Sequence, residues 1–402
     1  MDVHKTFIVA CIATTDSKGF TIYQSKRFST FTGDLRRLAA WLADNNCRDV
    51  CMESTGKYWI PVFNLLEQSC NVVLAHPKYV KSIRGKKTDK KDAQWIADIF
   101  KHDLISPSFI PPFEIRQLRD LARYHTKLTG FTTGEKNRAQ NCLTVSNIQI
   151  DQVFSDVFGQ SASAITKQLL EQPNGDFDVA PFVNSRVKAP IPKIQAAIEG
   201  SICFQQAEKL RTIRQHLDSI QTCKASLEAL IDKCASQFQT QIELVTTVPG
   251  IQRFSAVSII SEIGVDMSVF PTAKQLCSWA GLVPQNDQSA GKRKTTRISR
   301  AGAYIKPLLV RCSLGAIATK KHPEIKERYT ALKKRRGHKK AIIAICRMLL
   351  TTIYAMLKKA EPYDSSHYRA FDLPPDNRSI TPDQAMRLAR RLGYTIVTSR
   401  AS

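Results

Sequence analysis

The sequence has few acidic residues, no long apolar run and no secretion or zinc pattern. Its 402 residues include 35 Asp and Glu against 59 Lys and Arg, a formal net charge of +24 that favours a polyanionic partner. No run of about 18 apolar residues occurs, and residues 1–5 do not resemble a signal peptide, so we expect no membrane partner. The 11 cysteines are scattered, which indicates reduced thiols in a cytoplasmic protein and excludes a zinc site.

The N-terminal quarter of the chain alternates strand and helix patterns. Strands are predicted over 3–15, 19–23, 49–52 and 72–74, the first two joined by a turn at 16–19. Helices are predicted over 35–42, 58–66 and 89–100. Hairpin strands followed by strands that alternate with helices indicate an α/β fold with a mixed sheet covered by helices.

The rest of the chain is predicted to be mainly α-helical. Residues 113–147 have a helical pattern, 155–200 are less periodic, and 204–242 form one long helix with an apolar stripe. Such a stripe is typical of a coiled-coil or packing arm, so we expect it to support assembly. Residues 244–257, with the turn Pro249-Gly250, suggest either a phosphate-binding helix-hairpin-helix or a plain connection between helices.

The densest positive charge lies between residues 289 and 340. Here 17 Lys and Arg accompany two acids, Glu324 and Glu327, a local net charge of +15. Self-repulsion in such a segment favours polyanion binding over a merely solvated face. An apolar helix over 341–357 follows as an anchor, and the tail contains one further helix over 381–393.

One short acidic stretch interrupts the basic residues. Asp89 and Asp92 stand three residues apart at the head of a predicted helix and point the same way. Carboxylates can hold a divalent metal and neighbouring lysines can hold phosphate, which suits metal-assisted chemistry on nucleic acid. The alternative is that Thr88 or Asp89 only caps the helix. The flanking lysines are Lys86, Lys87, Lys90 and Lys91.

Two further carboxylates suit the same site. Asp2 opens the first strand, and Glu53 ends a later buried strand. A ribonuclease-H-type fold builds a two-metal site from one carboxylate on strand one, another at a later strand end and a pair on a crossing helix. Glu53 is equally consistent with an ordinary residue at a strand end.

These motifs resemble the DEDD transposases of bacterial insertion sequences, a family that also includes Piv-type invertases. In that family a RuvC-like N-terminal domain is joined to a C-terminal transposase domain with a serine. The similar stretches follow one another over most of residues 1–360: Asp2-Val3-His4-Lys5, Met52-Glu53-Ser54-Thr55-Gly56, Lys87-Thr88-Asp89-Lys90-Lys91-Asp92-Ala93, Val248-Pro249-Gly250-Ile251, Trp279-Ala280-Gly281-Leu282-Val283-Pro284, Ser289-Ala290-Gly291-Lys292 and Ile298-Ser299-Arg300-Ala301-Gly302.

The resemblance implies the catalytic residues. Asp2, Glu53, Asp89 and Asp92 would be the tetrad that binds Mg²⁺ (or Mn²⁺). Ser289, in the Ser-x-Gly-Lys position, would be a nucleophile that forms a phosphoserine link to DNA. On its own, this serine is typical of a turn before a glycine.

The resemblance also implies partners in a bacterial, nucleoid-associated setting. Well-studied members use a structured non-coding guide RNA, the bridge RNA, whose loops pair with donor and target DNA. They form a dimer or tetramer in which the tetrad of one subunit meets the serine of another. Besides the four lysines near Asp89, the residues expected to bind nucleic acid are Lys292, Arg293, Lys294, Arg297, Arg300, Lys333, Lys334, Arg335, Arg336, Lys339 and Lys340.

Four regions are therefore expected along the chain. They are a RuvC-like metal-binding domain (1–148), a helical coiled-coil arm (149–242), a mainly α-helical serine transposase domain (243–360) and a tail (361–402). Two features depart from the family: Asp2 stands almost at the first residue, and the region over roughly 150–240 is longer than in compact members.

Three alternatives to an insertion-sequence recombinase stay open. A site-specific invertase of the same family would use the same chemistry on a different arrangement of DNA sites. A RuvC-like junction nuclease would use water, which would leave Ser289 structural. A non-catalytic nucleic-acid-binding protein would show steep salt dependence and no metal requirement.

Overall fold

The computed structural model describes residues 1–53, 56–80, 88–284, 287–289, 292–295, 297–366 and 386, without the side chains of 78–79, 287–289 and 292–295. The chain divides into two compact units. The first comprises Met1–Phe238 and Val257–Val265, and the second comprises Gln239–Ala256 and Asp266–Ser402. The helix predicted over 381–393 lies outside the described residues, apart from the single helical residue Met386.

The first unit is built on strands from its N-terminal part. These strands are β1 (Asp2–Val3), β2 (Phe7–Thr15), β3 (Thr21–Ser29), β4 (Asp49–Glu53) and β5 (Asn71–Ala75). β2 pairs antiparallel with both β1 and β3, and Asp2 stands opposite Val9. β4 and β5 are parallel, with Glu53 opposite Ala75. The predicted mixture of a hairpin and parallel strands is confirmed.

The prediction of one strand over residues 3–15 is wrong, because the chain reverses after Val3. The His4 N–H donates to the Phe7 carbonyl at 2.9 Å and closes the turn between β1 and β2. Alternation of apolar residues did not reveal this reversal, since the same pattern fits one strand or two strands joined by a short polar turn.

Two backbone hydrogen bonds join β1 to β4. The Met1 ammonium donates to the Cys51 carbonyl at 2.7 Å, and the Glu53 N–H donates to the Met1 carbonyl at 3.3 Å. In a parallel pair, a residue forms hydrogen bonds with the two residues that flank its partner. Met1 bonds to Cys51 and Glu53 in this way, so it stands opposite Met52. These bonds join the sheet β1-β2-β3 to the pair β4-β5, which gives the order β3-β2-β1-β4-β5. Such a mixed sheet fits a ribonuclease-H-like fold.

Helices cover both faces of this sheet. They are α1 (Thr32–Asp44), α2 (Trp59–Leu66), the short α3 (Pro77–Val80) and α4 (Asp89–Lys101). On one face, Leu38 of α1 and Leu66 of α2 pack in a cluster with Ile8 of β2. On the other face, Ile96 of α4 packs in a cluster with Cys51 of β4. The predicted α/β layers are confirmed.

A long helix pair continues the first unit. α5 (Phe113–Val145) and α8 (Phe204–Ala235) pack against each other. The His125 ring lies 2.7 Å from the Glu228 carboxylate, and the His216 ring lies 3.0 Å from that of Glu135. These pairs run in opposite directions along the two helices, so the helices are antiparallel. The apolar stripe of α8 therefore has a partner within the chain.

α8 ends earlier than predicted. The sequence pattern predicts one helix over 204–242, but α8 stops at Ala235 and a 3₁₀ turn, Ser236–Phe238, follows. The Ser236 hydroxyl donates to the Lys233 carbonyl at 2.8 Å. A side chain that bonds a carbonyl of the last turn competes with continuation of the helix.

The segment between α5 and α8 has its own hydrophobic core. α6 (Gln160–Glu171) and α7 (Ile191–Ala196) pack around Ile165 and Ile194. Short helices and 3₁₀ turns give no sustained period, which explains the weak pattern over 155–200.

A buried ionic cluster holds Val257–Val265 within the first unit. Glu262, only 5% exposed, accepts two hydrogen bonds from the Arg123 guanidinium, at 2.7 and 2.8 Å. The Arg119 guanidinium donates to the backbone carbonyls of Ser261 and Glu262 at 2.9 and 2.7 Å. Burial lowers the pKa of Arg119 to about 10.

The second unit is mainly α-helical, as predicted. Its helices are α9 (Gln239–Thr246), the start of α10 (Arg253–Ile263), α11 (Ala273–Trp279), α12 (Ile305–Ala318), α13 (Pro323–Arg336) and α14 (His338–Lys359). α14 packs against α9, α11, α12 and α13. Its fully buried residues include Ile345 and Leu349, which confirms the predicted apolar anchor.

α14 is also the one helix, within the part of the chain that the structure describes, that is long and apolar enough to cross a membrane. Of its most apolar stretch, 56% is buried inside the protein. Its contacts with four helices make it the core helix of the second unit.

Close packing shapes the turn between α9 and α10. Gly250 has a φ of +79°, and an added Cβ would lie 2.3 Å from the Ala316 nitrogen and 2.4 Å from the Cys312 carbonyl oxygen of α12. Only glycine fits such a position. The Pro249-Gly250 pattern is thus explained by contact with α12, and its interpretation as a phosphate-binding hairpin stays a prediction.

We expect Glu262→Ala to lower the free energy of unfolding by about 3 kcal/mol or more, because two guanidiniums lose their buried carboxylate. Urea denaturation followed by circular dichroism measures this loss. The matched control is Glu208→Ala on α8, since Glu208 pairs with Arg211 at the surface and such pairs contribute at most about 1 kcal/mol. Equal losses in the two variants would contradict the role assigned to Glu262.

Candidate functional site

Asp2 and Glu53 lie side by side on the sheet face that α4 covers. The pairing of Met1 with Met52 sets Asp2 opposite Glu53, and paired residues of adjacent strands point to the same face. Cys51, two residues before Glu53, packs with α4 and identifies that face. Asp2 is 8% exposed and Glu53 is half-buried, so the sheet and helix shield both carboxylates from bulk water.

The start of α4 brings two further carboxylates to this face. Thr88 is the N-cap, and its hydroxyl accepts a hydrogen bond from the Lys91 N–H at 3.3 Å. The capping interpretation is therefore confirmed for Thr88. Because the threonine performs the capping, Asp89 and Asp92 of the first turn are not needed for it. α4 packs over β1, β2 and β4, which fixes the position of that turn.

Three side chains meet where β1 ends and α4 begins. His4 Nε2 lies 3.0 Å from Asp2 Oδ2 and 3.6 Å from Asp89 Oδ1. One ligand atom from each of the three residues lies within 4.8 Å of the others, and no other such His, Cys, Asp or Glu group occurs among the described residues. Two carboxylates and an imidazole at this spacing fit a divalent cation.

Sequence reasoning missed His4. Its ring stacks on Phe7 with centroids 4.5 Å apart, and the Arg27 guanidinium lies 3.8 Å from the Phe7 ring centroid. A signal was present in the spacing, since residues two apart in an extended segment point to the same side, as Asp2 and His4 do.

Glu53 and Asp92, the other two predicted metal ligands, do not belong to the group formed by Asp2, His4 and Asp89. Glu53 is next to Asp2 across the β1–β4 pair, and Asp92 is one turn along α4 from Asp89. The lysines that flank the acids divide into two sets. Lys90 and Lys91 are exposed on α4, whereas Lys86 and Lys87 lie outside the described residues.

Ser289 belongs to the second unit and lies in a β-hairpin. β6 (Asp287–Ser289) pairs antiparallel with β7 (Lys292–Thr295), and Ser289 stands opposite Lys292 beside the loop. A further bridge between Pro284 and Ile298 extends the base of the hairpin. The hairpin backbone thus presents the serine at its tip. The side chains of Ser289, Lys292, Arg293 and Lys294 lie outside the described part of the chain.

Two glycines bring the base segments of this hairpin into backbone contact. Gly281 and Gly302 have φ values of +67° and +69°. A Cβ on Gly281 would lie 2.5 Å from the Ala301 carbonyl oxygen, and one on Gly302 would lie 2.1 Å from that of Ala280. Gly281 and Gly302 therefore share one role. They allow the backbone around residues 280–281 to cross that around residues 301–302 in close contact.

Lys306 holds the same crossing. Its Nζ donates to the Ser299 carbonyl at 2.7 Å, and partial burial lowers the pKa of this amine. The sequence predicted no individual role for Lys306, because a lysine that bonds a backbone carbonyl has no sequence signature.

A basic surface surrounds the turn between α13 and α14. Residues 333–340 are all exposed, and Gly337, with a φ of +79°, separates the two helices. The first turn of α14 contains no acid, so its lysines oppose the helix dipole unless an anion is present. The cations of this surface are Lys333, Lys334, Arg335, Arg336, Lys339 and Lys340, and the predicted Arg297 and Arg300 are exposed as well.

Two family models match this chain. A DEDD transposase model of the IS110 type, described as a transposase, matches residues 1–148. A model described as a transposase of the IS116/IS110/IS902 family matches residues 242–330. The two matches together cover more than half of the chain. The first contains the four predicted acids, and the second contains the hairpin of Ser289.

Curated relatives point the same way. A protein of Pseudomonas aeruginosa named "Probable family 20 transposase" is 25% identical over 65% of this chain and 69% of its own length. The pilin gene-inverting protein of Moraxella bovis is 31% identical over 38% of this chain and 47% of its own. The transposase for insertion sequence element IS1111A of Coxiella burnetii is 28% identical over 33% and 36%.

We expect Gly302→Ala to destabilise the second unit by about 2 kcal/mol or more, because alanine at positive φ is strained and its Cβ would collide with Ala280. Thermal unfolding and hydrogen exchange of the 287–295 backbone measure the effect. Gly130→Ala in α5 is the matched control: nothing lies within 4 Å of its Cβ, so this change should be neutral or stabilising. A similar response of both variants would exclude the crossing as the reason for Gly302.

Proposed function

Since the chain belongs to the IS110 family of insertion-sequence transposases, we propose that it cuts and rejoins DNA strands with Ser289 as the nucleophile. In this proposal Mg²⁺ or Mn²⁺ is held by the tetrad Asp2, Glu53, Asp89 and Asp92. DNA recombination is the activity that the family implies. The serine step, the metal and the nucleic-acid partners are the parts that need separate tests.

The approach of Asp89 to Asp2 and His4 is the observation that carries this proposal. Ligand atoms of Asp2, His4 and Asp89 lie within 4.8 Å of one another, close enough to bind one ion, and Glu53 is the residue opposite Asp2 on β4. Without a cation, the Asp2 and Asp89 carboxylates would repel each other at this separation. Bound divalent ions would neutralise phosphate charge and assist the attacking and leaving oxygens.

The serine step conserves the energy of the phosphodiester bond. The Ser289 oxygen attacks phosphorus and its proton leaves to a base, while the bond from phosphorus to one sugar oxygen breaks. The products are a phosphoserine-linked strand end and a free sugar hydroxyl. When a hydroxyl from a different strand attacks the phosphoserine, Ser289 is released and the new strand is sealed. No nucleotide cofactor is consumed.

The exposed cations supply the surface for nucleic acid. Residues 333–340 offer six of them, four in the last turn of α13 and two in the first turn of α14, and Lys90 and Lys91 lie in the first turn of α4 with Asp89 and Asp92. Such cations bind phosphates whatever the base sequence is. The proposal therefore assigns the choice of DNA sites to a structured guide RNA, whose loops pair with donor and target strands. Sequencing the nucleic acid that copurifies with the protein tests this part.

The proposal includes a homodimer or tetramer working at the nucleoid in the bacterial cytoplasm. The tetrad belongs to the first unit and Ser289 to the second. In this arrangement the tetrad of one subunit serves the serine of another, and α8 is the arm that supports the exchange. Mixing a Glu53→Gln protein with a Ser289→Ala protein tests it, because only a shared site allows the mixture to regain activity.

A second candidate function is inversion of a DNA segment. The relatives of Moraxella, 31% identical over 38% of this chain, are named pilin gene-inverting proteins. Inversion and transposition use the same bond-breaking steps and differ in how the DNA sites are arranged. Supplying plasmids with sites in direct or inverted orientation distinguishes the two.

Ser289→Ala should abolish the covalent protein–DNA adduct and strand exchange, because no other atom takes its place as nucleophile. The adduct is measured by denaturing electrophoresis of labelled DNA with Mg²⁺ present. Ser278→Ala, at an exposed position of α11, is the control and should keep full activity. Continued cleavage by Ser289→Ala without an adduct would favour the nuclease that uses water.

Glu53→Gln should lower strand cleavage by about 100-fold or more, since several kcal/mol of charge stabilisation depend on bound metal. DNA affinity should stay within about threefold, because contacts with phosphates come mainly from basic residues. Cleavage assays and fluorescence anisotropy measure the two effects. Glu171→Gln, at an exposed position of α6, is the control. Unaltered cleavage by Glu53→Gln would remove Glu53 from the metal site.

A further inference from the structure

We propose that the His4 imidazole is a ligand of the metal held by Asp2 and Asp89, and that it shifts the preference of this position from Mg²⁺ towards first-row transition ions such as Mn²⁺. The inference rests on the proposed function only in requiring that the carboxylate face binds metal. It adds a nitrogen ligand to a site otherwise made of oxygens.

The distances suit ligands around one ion. In octahedral coordination with bonds of about 2.1 Å, neighbouring ligand atoms stand about 3 Å apart and opposite ones about 4 Å apart. His4 Nε2 lies 3.0 Å from Asp2 Oδ2 and 3.6 Å from Asp89 Oδ1. The three ligand atoms lie within 4.8 Å of one another. Adjustments of well under 1 Å would therefore place them on one coordination sphere.

The His4 ring is held in position before any metal arrives. Its backbone N–H closes the turn to Phe7 at 2.9 Å, and its ring stacks on the Phe7 ring at 4.5 Å. The Arg27 guanidinium lies over the Phe7 ring, 3.8 Å from its centroid. A ligand fixed in this way loses little conformational freedom when it binds an ion. The stacking leaves Nε2 directed towards the two carboxylates.

An imidazole ligand changes which ions the site prefers. Mg²⁺ is a hard ion that is bound almost entirely by oxygen and keeps several of its waters. First-row transition ions accept imidazole nitrogen readily, and their affinity for such sites is higher. A site of two carboxylates and one imidazole should therefore retain Mn²⁺ more strongly than a site of carboxylates alone. His4 is in this sense a specificity-determining residue.

The competing account is that His4 only positions Asp2 by a hydrogen bond. The two accounts differ in what glutamine can do at this site. The Gln amide nitrogen reaches about as far as the imidazole Nε2, so it retains a hydrogen-bond donor there and should preserve positioning. It has no basic nitrogen with which to bind a metal. His4→Gln and His4→Ala should behave alike if His4 is a ligand, and differently if it only positions Asp2.

The test uses the metal-free full-length protein titrated with Mn²⁺ and, separately, with Mg²⁺. Pulsed electron paramagnetic resonance of bound Mn²⁺ should show modulation from an imidazole nitrogen in the wild type and none in His4→Gln or His4→Ala. Calorimetry should give about a tenfold weaker Kd for Mn²⁺ in both variants and less than a twofold change for Mg²⁺. His102→Gln, at the exposed end of α4, is the matched control and should match the wild type.

Three results would overturn the inference. Mn²⁺ bound to the wild type without nitrogen modulation would show that His4 is not a ligand, and this result does not depend on how any variant folds. Wild-type Mn²⁺ affinity in His4→Gln would leave only a positioning role, and the proposed function would stand in both cases. Failure of the wild type to bind Mn²⁺ or Mg²⁺ at all would overturn the metal site of the proposed function together with this inference.

Discussion

The parallel pairing of Met1 with Met52 is the constraint on which the rest of the first unit depends. Two backbone hydrogen bonds at the first residue insert β1 between β2 and β4 and turn two separate pairings into one sheet. Strand alternation then puts Asp2 and Glu53 on one face. Without this junction the two carboxylates would belong to unconnected sheets, and α4 would have no continuous surface to cross.

Residues near the predicted site residues have structural roles that leave those residues available for binding or catalysis. Thr88 caps α4, which leaves both first-turn carboxylates for other work. Phe7 anchors the turn after β1 and supports the His4 ring. In the second unit, Gly281 and Gly302 allow two backbone segments to touch, and this contact fixes the hairpin that contains Ser289. The positions of the predicted site residues thus follow from caps, turns and close contacts that stabilise the fold.

The sequence was sufficient to predict most elements, but not the contacts between them. The period of apolar residues located β4 up to Glu53 and α4 from Asp89, because burial on one face imposes that period. The reversal after Val3 and the end of α8 at Ala235 each involve a local hydrogen bond, and the pairing of α8 with α5 depends on tertiary packing. None of these leaves a period in the sequence. His4 and Lys306 escaped notice because each acts through a partner that is distant or unexpected in sequence. The motif glycines were found by resemblance, whereas their reason, a backbone crossing, became visible only in three dimensions.

The cluster of Arg119, Arg123 and Glu262 has a consequence for how this chain can be made and divided. It holds Val257–Val265 in the first unit, although the residues on both sides belong to the second. During synthesis, the first unit cannot complete its ionic core until residue 265 has left the ribosome, by which time part of the second unit already exists. A gene fragment that stops at residue 238 would leave buried guanidiniums without their acceptors. A chimaera that takes the first unit from one relative must therefore also take residues 257–265 from that relative, although they are separated from the rest of the unit in sequence.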